Sequence, residues 1–158
     1  MITIMKRSIL AATISLIGVV AHASDLDTVK RFYTDMLSNP VAVDGVTVRS
    51  VVAEDWVSIP TPRGGPGAEG MLTTLHQFGA AIPDLKWDVQ EILRDGNRYV
   101  VRSIATGTPV YPIFGIDPPT GKSFEIMSID IHEVEDGIIV HSYHVEEWAT
   151  AIQQLTAE

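Results

Sequence analysis

The stretch SFEIMSIDIHEVEDGIIVHSYHVEE, residues 123–147, alternates apolar and polar residues on both sides of Glu135-Asp136-Gly137. Side chains along a strand point to opposite faces in turn, so a period of two broken by a turn signal reads as a β-hairpin with strands Ser123–Val134 and Ile138–Glu147. The turn decides which residues share a face. If Asp136-Gly137 is a two-residue turn, Asp130, His132, His141, Tyr143 and Glu147 fall together. If Glu135-Asp136-Gly137 is a type I turn with Gly137 as the left-handed bulge residue, the set becomes Ser128, Asp130, His132, Ser142, His144 and Glu146. The second reading is favoured, because Glu135 is a poor residue before a primed turn and Gly suits the bulge. It places Asp130 opposite Ser142 and diagonal to His144, with backbones roughly 7 Å apart and side-chain ends within hydrogen-bond reach.

Working outward, the same strand period predicts Leu85–Leu93 and Tyr99–Pro109, divided by Asp95-Gly96-Asn97. A longer connection holding Asp117-Pro118-Pro119-Thr120-Gly121 leads into the hairpin. Further upstream the period is helical. Leu26, Val29, Phe32, Tyr33, Met36 and Leu37 fall on one helix face, with Ser24 and Asp25 as cap and Asn39-Pro40 as stop. A short helical piece over Val46–Ala53 and a brief extended segment Trp56–Pro60 follow. Pro62–Gly67 is a loop without the Gly-Lys-Ser/Thr ending of a phosphate loop. A second helix, Ala68–Phe78, turns Met71, Leu72, Leu75 and Phe78 inward and leaves His76 on the surface. A closing helix spans Trp148–Leu155. Helices first and an antiparallel meander afterwards is an α+β order, and a curved sheet over helices leaves a pocket.

The N-terminus carries Lys6 and Arg7 before an uncharged apolar run from Ile9 to Val20, then Ala21-His22-Ala23. That pattern is a secretory signal peptide over residues 1–23, too short to span a bilayer, cut before Ser24. The mature domain, 24–158, is then exported, periplasmic or secreted, with no membrane association after cleavage. It keeps nine basic against 20 acidic residues, a net charge of −11. Clustered Lys and Arg for nucleic acid are missing. With no cysteine in the chain, thiolate catalysis, zinc-thiolate sites and disulfides are excluded, so the core alone holds the fold.

Several segments resemble the SnoaL-like polyketide cyclases, or ester cyclases, of the nuclear-transport-factor-2-like superfamily. They are Trp56-Val57-Ser58-Ile59-Pro60, Ile82-Pro83-Asp84-Leu85, Gly107-Thr108, Gly115-Ile116-Asp117-Pro118-Pro119-Thr120-Gly121-Lys122, Ile129-Asp130-Ile131-His132, Asp136-Gly137-Ile138-Ile139, Trp148 and Gln154-Leu155. The resemblance implies a cone, a strongly bent antiparallel sheet wrapped around helices with an apolar pocket at one end, and often a homodimer. It also implies cofactor-free chemistry, in which an Asp on the last strands removes an acidic carbon-bound proton before ring closure. The family's His position falls on Asp130 and its Asp position on His144, so the two residue types have changed places. Ser58 stands where the family often has Asn, and Ser128 where it has Gln.

Asp130 and His144 are therefore the candidate catalytic pair. The carboxylate would orient the imidazole, leaving its other nitrogen as a base near neutral pH. Ser128, Ser142 or Arg102 would donate to the enolate oxygen. Trp56, Ser58 and His132, the last nearer the rim, complete the substrate-binding set. His141 faces away and Glu147 caps the closing helix. A metal site on His132, His141 and His144 is disfavoured, because His141 and His144 point to opposite faces under either register. The expected activity is an exported, cofactor-independent cyclase or isomerase acting on a small apolar carbonyl compound. The alternative is a non-catalytic, extracytoplasmic small-molecule binding protein using the same pocket. The outer sheet face, with Ile129, Ile131 and Val145, is the surface for a homodimer.

Overall fold

The computed structural model describes residues 25–117 and 119–158. The expected signal segment 1–23, the Ser24 cap and Pro118 lie outside the described residues. Helix α1 covers 25–37, starting α-helical and widening into a π-helical segment, Phe32–Leu37, where the Ser38 N–H reaches back five residues to the Tyr33 carbonyl at 2.9 Å. A wider helix turns less per residue, so the neighbours Phe32 and Tyr33 are both buried, together with Met36. Helix α2 is Gly45–Arg49, capped by Asp44, whose carboxylate accepts from the Thr47 N–H at 2.8 Å. It is shorter than the expected Val46–Ala53 because β1, Val52–Ile59, claims the β-branched residues after Ser50.

Helix α3 runs Gly67–Ala81, β2 Lys86–Asp95, β3 Arg98–Gly107, β4 Phe124–Glu135, β5 Ile138–Glu146 and α4 Trp148–Thr156. The strands form one open five-stranded sheet in the order β1-β5-β4-β3-β2. The meander from β2 to β5 is antiparallel, as its short turns require. β1 pairs parallel to β5, so the sheet is mixed rather than antiparallel throughout. The sequence hides the first half of β1 because Glu54 and Asp55 are consecutive and exposed, which breaks the alternation that marks a half-buried strand.

The inner face of the sheet meets the helices in one core. Tyr33, Met36, Leu75, Ile82, Tyr99, Ile126 and Ile139 are fully buried, each large aliphatic contributing about 1.5–3 kcal/mol relative to exposure. α3 packs on β1, α4 on β4 and α1 on β2, and no helix among the described residues is long and apolar enough to cross a membrane.

Candidate active site

The hairpin places its side chains by a different route from the one expected. Asp136 and Gly137 both have positive φ, 50° and 78°, and Glu135 pairs with Ile138, so the turn is the two-residue primed kind. A bulge then follows within β5. Val134 pairs with Ile139 and Glu133 with His141, leaving Val140 without a counterpart and reversing the parity of the strand. Ser128, Asp130, His132, Ser142, His144 and Glu146 do share the inner face, but Asp130 lies directly opposite His144, and Ser142 opposite His132.

Asp130 is 3% exposed and accepts hydrogen bonds at Oδ2 from the Tyr33 hydroxyl and from Ser128 Oγ, both at 3.0 Å. Burial pushes its carboxyl up to about 6; the Tyr33 bond, Ser128 and the His144 charge pull down against it, and Glu146 adds to the rise. His132 is fully buried, and that burial, reinforced by His144, lowers its pKa to about 3, so it is neutral and has one donor and one acceptor nitrogen.

The direction of the network then follows. Tyr33 gives its only hydroxyl proton to Asp130, so its oxygen accepts from His132 Nε2 at 2.9 Å. His132 Nδ1 must accept from Ser142 Oγ at 2.8 Å, and Ser142 accepts from Trp56 Nε1 at 3.0 Å. Trp56, Ser142, His132 and Tyr33 thus form a chain of donors aimed at the Asp130 carboxylate.

His144 has acceptors on both sides. Nδ1 meets Glu146 Oε1 at 2.7 Å and Nε2 meets the Pro60 carbonyl at 3.0 Å, so both ring nitrogens donate and the ring is an imidazolium. Its half-burial opposes the charge, but Glu146, the Pro60 carbonyl and Asp130 outweigh it and hold the pKa above the ordinary imidazole value. One ligating atom from each of Asp130, His144 and Glu146 lies within 4.8 Å of the others, a set that could hold a divalent ion only by breaking one of the His144 bonds.

These groups form the polar end of a cavity of about 340 Å³ between the sheet, α1 and α3. Its walls are mostly apolar. Phe114, at φ 55° in the connection after β3, packs its ring 4.9 Å from Trp148, which also stacks on Phe78 at 5.8 Å. The Thr120 hydroxyl, bonded to the Leu155 carbonyl, fastens this connection to α4. A hidden carboxylate with a raised pKa beside a fixed cation, both facing an apolar cavity, can take a proton from carbon while a neighbouring oxygen becomes negative.

Of the residues singled out in the sequence, Asp130, His144, Ser142 and Trp56 line this cavity. Ser128 and His132 lie behind it, holding Asp130, and His132 is wholly buried instead of near the rim. The Ser58 hydroxyl is buried with no hydrogen-bond partner among the described residues and does not reach the cavity wall. Arg102 belongs to the outer face, opposite Ile129 on β4, where it pairs with Glu91 at 3.5 Å. The expected Asp130–His144 hydrogen bond is not formed: the carboxylate on the imidazole is Glu146, and no nitrogen remains free to act as a base. Glu147 holds the junction into α4 through Met127 N–H at 3.1 Å. Tyr33 escaped notice because a tyrosine within an apolar helical period reads as core, while Glu146 was signalled by its place two residues beyond His144 on the same face.

No curated protein matches the chain significantly. Among solved structures, wild-type IdmH from Streptomyces antibioticus is 28% identical, with a TM-score of 0.70 over 83% of this chain and 97% of that one. TsrD from Streptomyces laurentii, 24% identical, aligns with a TM-score of 0.73 over 86% and 97% of the two chains. A SnoaL-like polyketide cyclase from Agrobacterium tumefaciens, 20% identical, aligns at 0.65 over 82% and 97%. The last two likenesses speak for the fold alone. The sequence pattern of SnoaL-like polyketide cyclases matches residues 27–155, in keeping with the α+β sheet and its inward-facing hairpin, and the chain belongs to the SnoaL-like polyketide cyclase family.

Proposed function

We propose that the protein is a cofactor-independent acid–base enzyme of the cyclase or isomerase type, acting on a small, mostly apolar carbonyl compound. Asp130 is the base. It takes a proton from the carbon next to a carbonyl, the bonding pair moves onto the carbonyl oxygen, and the His144 imidazolium stabilises that oxygen. Collapse of the enolate onto a second carbonyl gives ring closure, and the proton held by Asp130 passes to the new alkoxide; its return to another carbon gives isomerisation. The observation that carries this reading is the buried carboxylate at about 6, directly opposite an imidazole whose two nitrogens are both donors. The residue types are exchanged relative to the family resemblance, yet the base is again a carboxylate, now on β4.

Export to the periplasm or medium is part of the proposal, supported by the apolar run and the Ala21-His22-Ala23 site. So is a homodimer through the outer sheet face. There Ile59, Tyr143, Ile131, Val100 and Leu93 form one cross-strand row over all five strands, with Ile59 at 53% and Leu93 at 57% exposure.

The test is solvent deuterium exchange at the activated methylene of aromatic β-keto esters, followed by NMR. Wild-type protein is expected to speed exchange, and Asp130→Asn to lose at least a hundredfold while remaining folded. If Asp130→Asn exchanges as fast as wild type, the carboxylate is structural and a pocket that only binds is the better reading.

A further inference from the structure

The loop Pro62–Gly67 plays no part in the proton chemistry, yet it is pinned to α3. Gly64 N–H donates to Thr74 Oγ1 at 2.8 Å and Gly65 N–H to the Pro62 carbonyl at 3.0 Å. A Cβ on Gly64 would stand 2.3 Å from the Gly70 carbonyl, so only glycine lets the loop lie this close to the helix. The loop therefore holds Arg63 in a defined place at the cavity mouth. Arg63 and Phe78 line both the main cavity and a neighbouring hollow of about 150 Å³.

Arg63 differs from every other described arginine. Arg31 pairs with Asp35, Arg49 with Glu54 and Glu69, Arg98 with Glu133 and Arg102 with Glu91. Arg94 donates to the Gly96 carbonyl and lies over the Tyr99 ring. Arg63 has no partner among the described residues, although 20 acidic residues face 11 basic ones in this chain. It is also the only Lys or Arg among the described residues that line the main cavity.

We propose that the natural substrate is a monoanion, with a largely aromatic body in the cavity and a carboxylate held at the mouth by Arg63. The planar guanidinium fork matches a carboxylate, and one positive charge balances one negative charge, whereas a phosphate dianion would stay undercompensated. Orientation comes from the two carboxylates in the cavity wall, Asp130 and Glu146, which repel the substrate carboxylate and leave the carbonyl carbon to the acid–base groups. Only that placement of the reacting carbonyl rests on the proposed enzyme reading; the anion site stands on the cavity and Arg63.

All three tryptophans, Trp56, Trp87 and Trp148, line the cavity, so their fluorescence reports its occupancy. The experiment titrates 2-naphthoate and its neutral counterpart 2-naphthamide at pH 7, with and without added salt. Wild-type protein should bind the carboxylate about five- to tenfold more tightly than the amide, the range of a partly exposed charge-assisted hydrogen bond, and salt should narrow the gap. Arg63→Gln should erase the preference and Arg63→Lys, which keeps the charge but not the fork, should keep only part of it, both with unchanged melting temperature. Equal binding of the two probes by wild type, a preference that survives Arg63→Gln, or no binding of either probe overturns the proposal. Loss of deuterium exchange in Asp130→Asn alongside such a result would sink the anion site alone. Unimpaired exchange in Asp130→Asn alongside the predicted preference would instead sink only the acid–base reading.

Discussion

Asp130 is held in a state it resists. Desolvation penalises its ionised form, and the Tyr33 and Ser128 bonds recover only part of that loss. Two consequences follow. The pH dependence of exchange should be bell-shaped, rising through about 6 as Asp130 ionises and falling above the raised His144 pKa as the cation is lost. Tyr33→Phe removes the largest hydrogen bond favouring the carboxylate, so the acid limb should move to higher pH while the alkaline limb stays; an acid limb that does not move would show that Tyr33 has no hold on the base. The second consequence concerns stability. A carboxyl whose folded pKa lies above its unfolded value binds more protons folded than unfolded between about 4 and 6, so stability declines as pH rises through that window and the penalty is complete above it. Asp130→Asn should therefore raise the unfolding free energy at pH 7 by about 1–3 kcal/mol, measured by urea denaturation, and change it little at pH 4. Equal or lower stability at pH 7 would mean that the lost charged hydrogen bonds outweigh the relieved desolvation.

At the level of elements, the loop over α3 offers a contest of known sizes. Gly70→Ala gains up to about 1 kcal/mol of helix propensity, but its Cβ would stand 1.9 Å from the Gly65 carbonyl oxygen. Backbone contact at that distance forces the loop away, at a cost of about 1–3 kcal/mol, so the variant should melt lower and lose the naphthoate preference with it. An unchanged melting temperature would show that the loop is not fixed where Arg63 needs it. These elements differ in how plainly the chain announces them. Alternation alone left two face assignments open, and the one that joins Asp130 and His144 was expected from a bulged Gly137 turn that the chain does not make; the meander, the sites of its turns and α3 were readable from period and glycine placement. The register was not, since Val140 looks like any strand valine and only pairing against β4 reveals it as the bulge. Nor was the parallel partner of β1, a contact between residues some 85 positions apart in the sequence that no local pattern carries. The π-helical widening that buries Tyr33 is equally silent, because apolar residues at three- and four-residue steps fit either helix. The partners of His144 were hidden for the same reason, as Pro60 reaches it only once β1 lies beside β5.

For the whole molecule, the two proposed functions divide between the faces of the sheet, proton chemistry inside and association outside. Tyr143 at 41% and Val145 at 66% exposure lie on the outer face of β5, between β1 and β4. Sedimentation should show a dimer for the wild type and a monomer for the Tyr143→Lys, Val145→Lys double variant; a monomeric wild type would remove the outer face from the proposal. The inner face depends on a carboxylate and an imidazole that have divided charge against habit. Carboxyl-carbon and imidazole NMR titration of the intact protein, with Asp130→Asn for assignment, reads both groups without any substrate. Asp130 should titrate near 6 and His144 above the ordinary imidazole value. An Asp130 midpoint near 4 with a neutral His144 at pH 7 would contradict the assignment of base and cation.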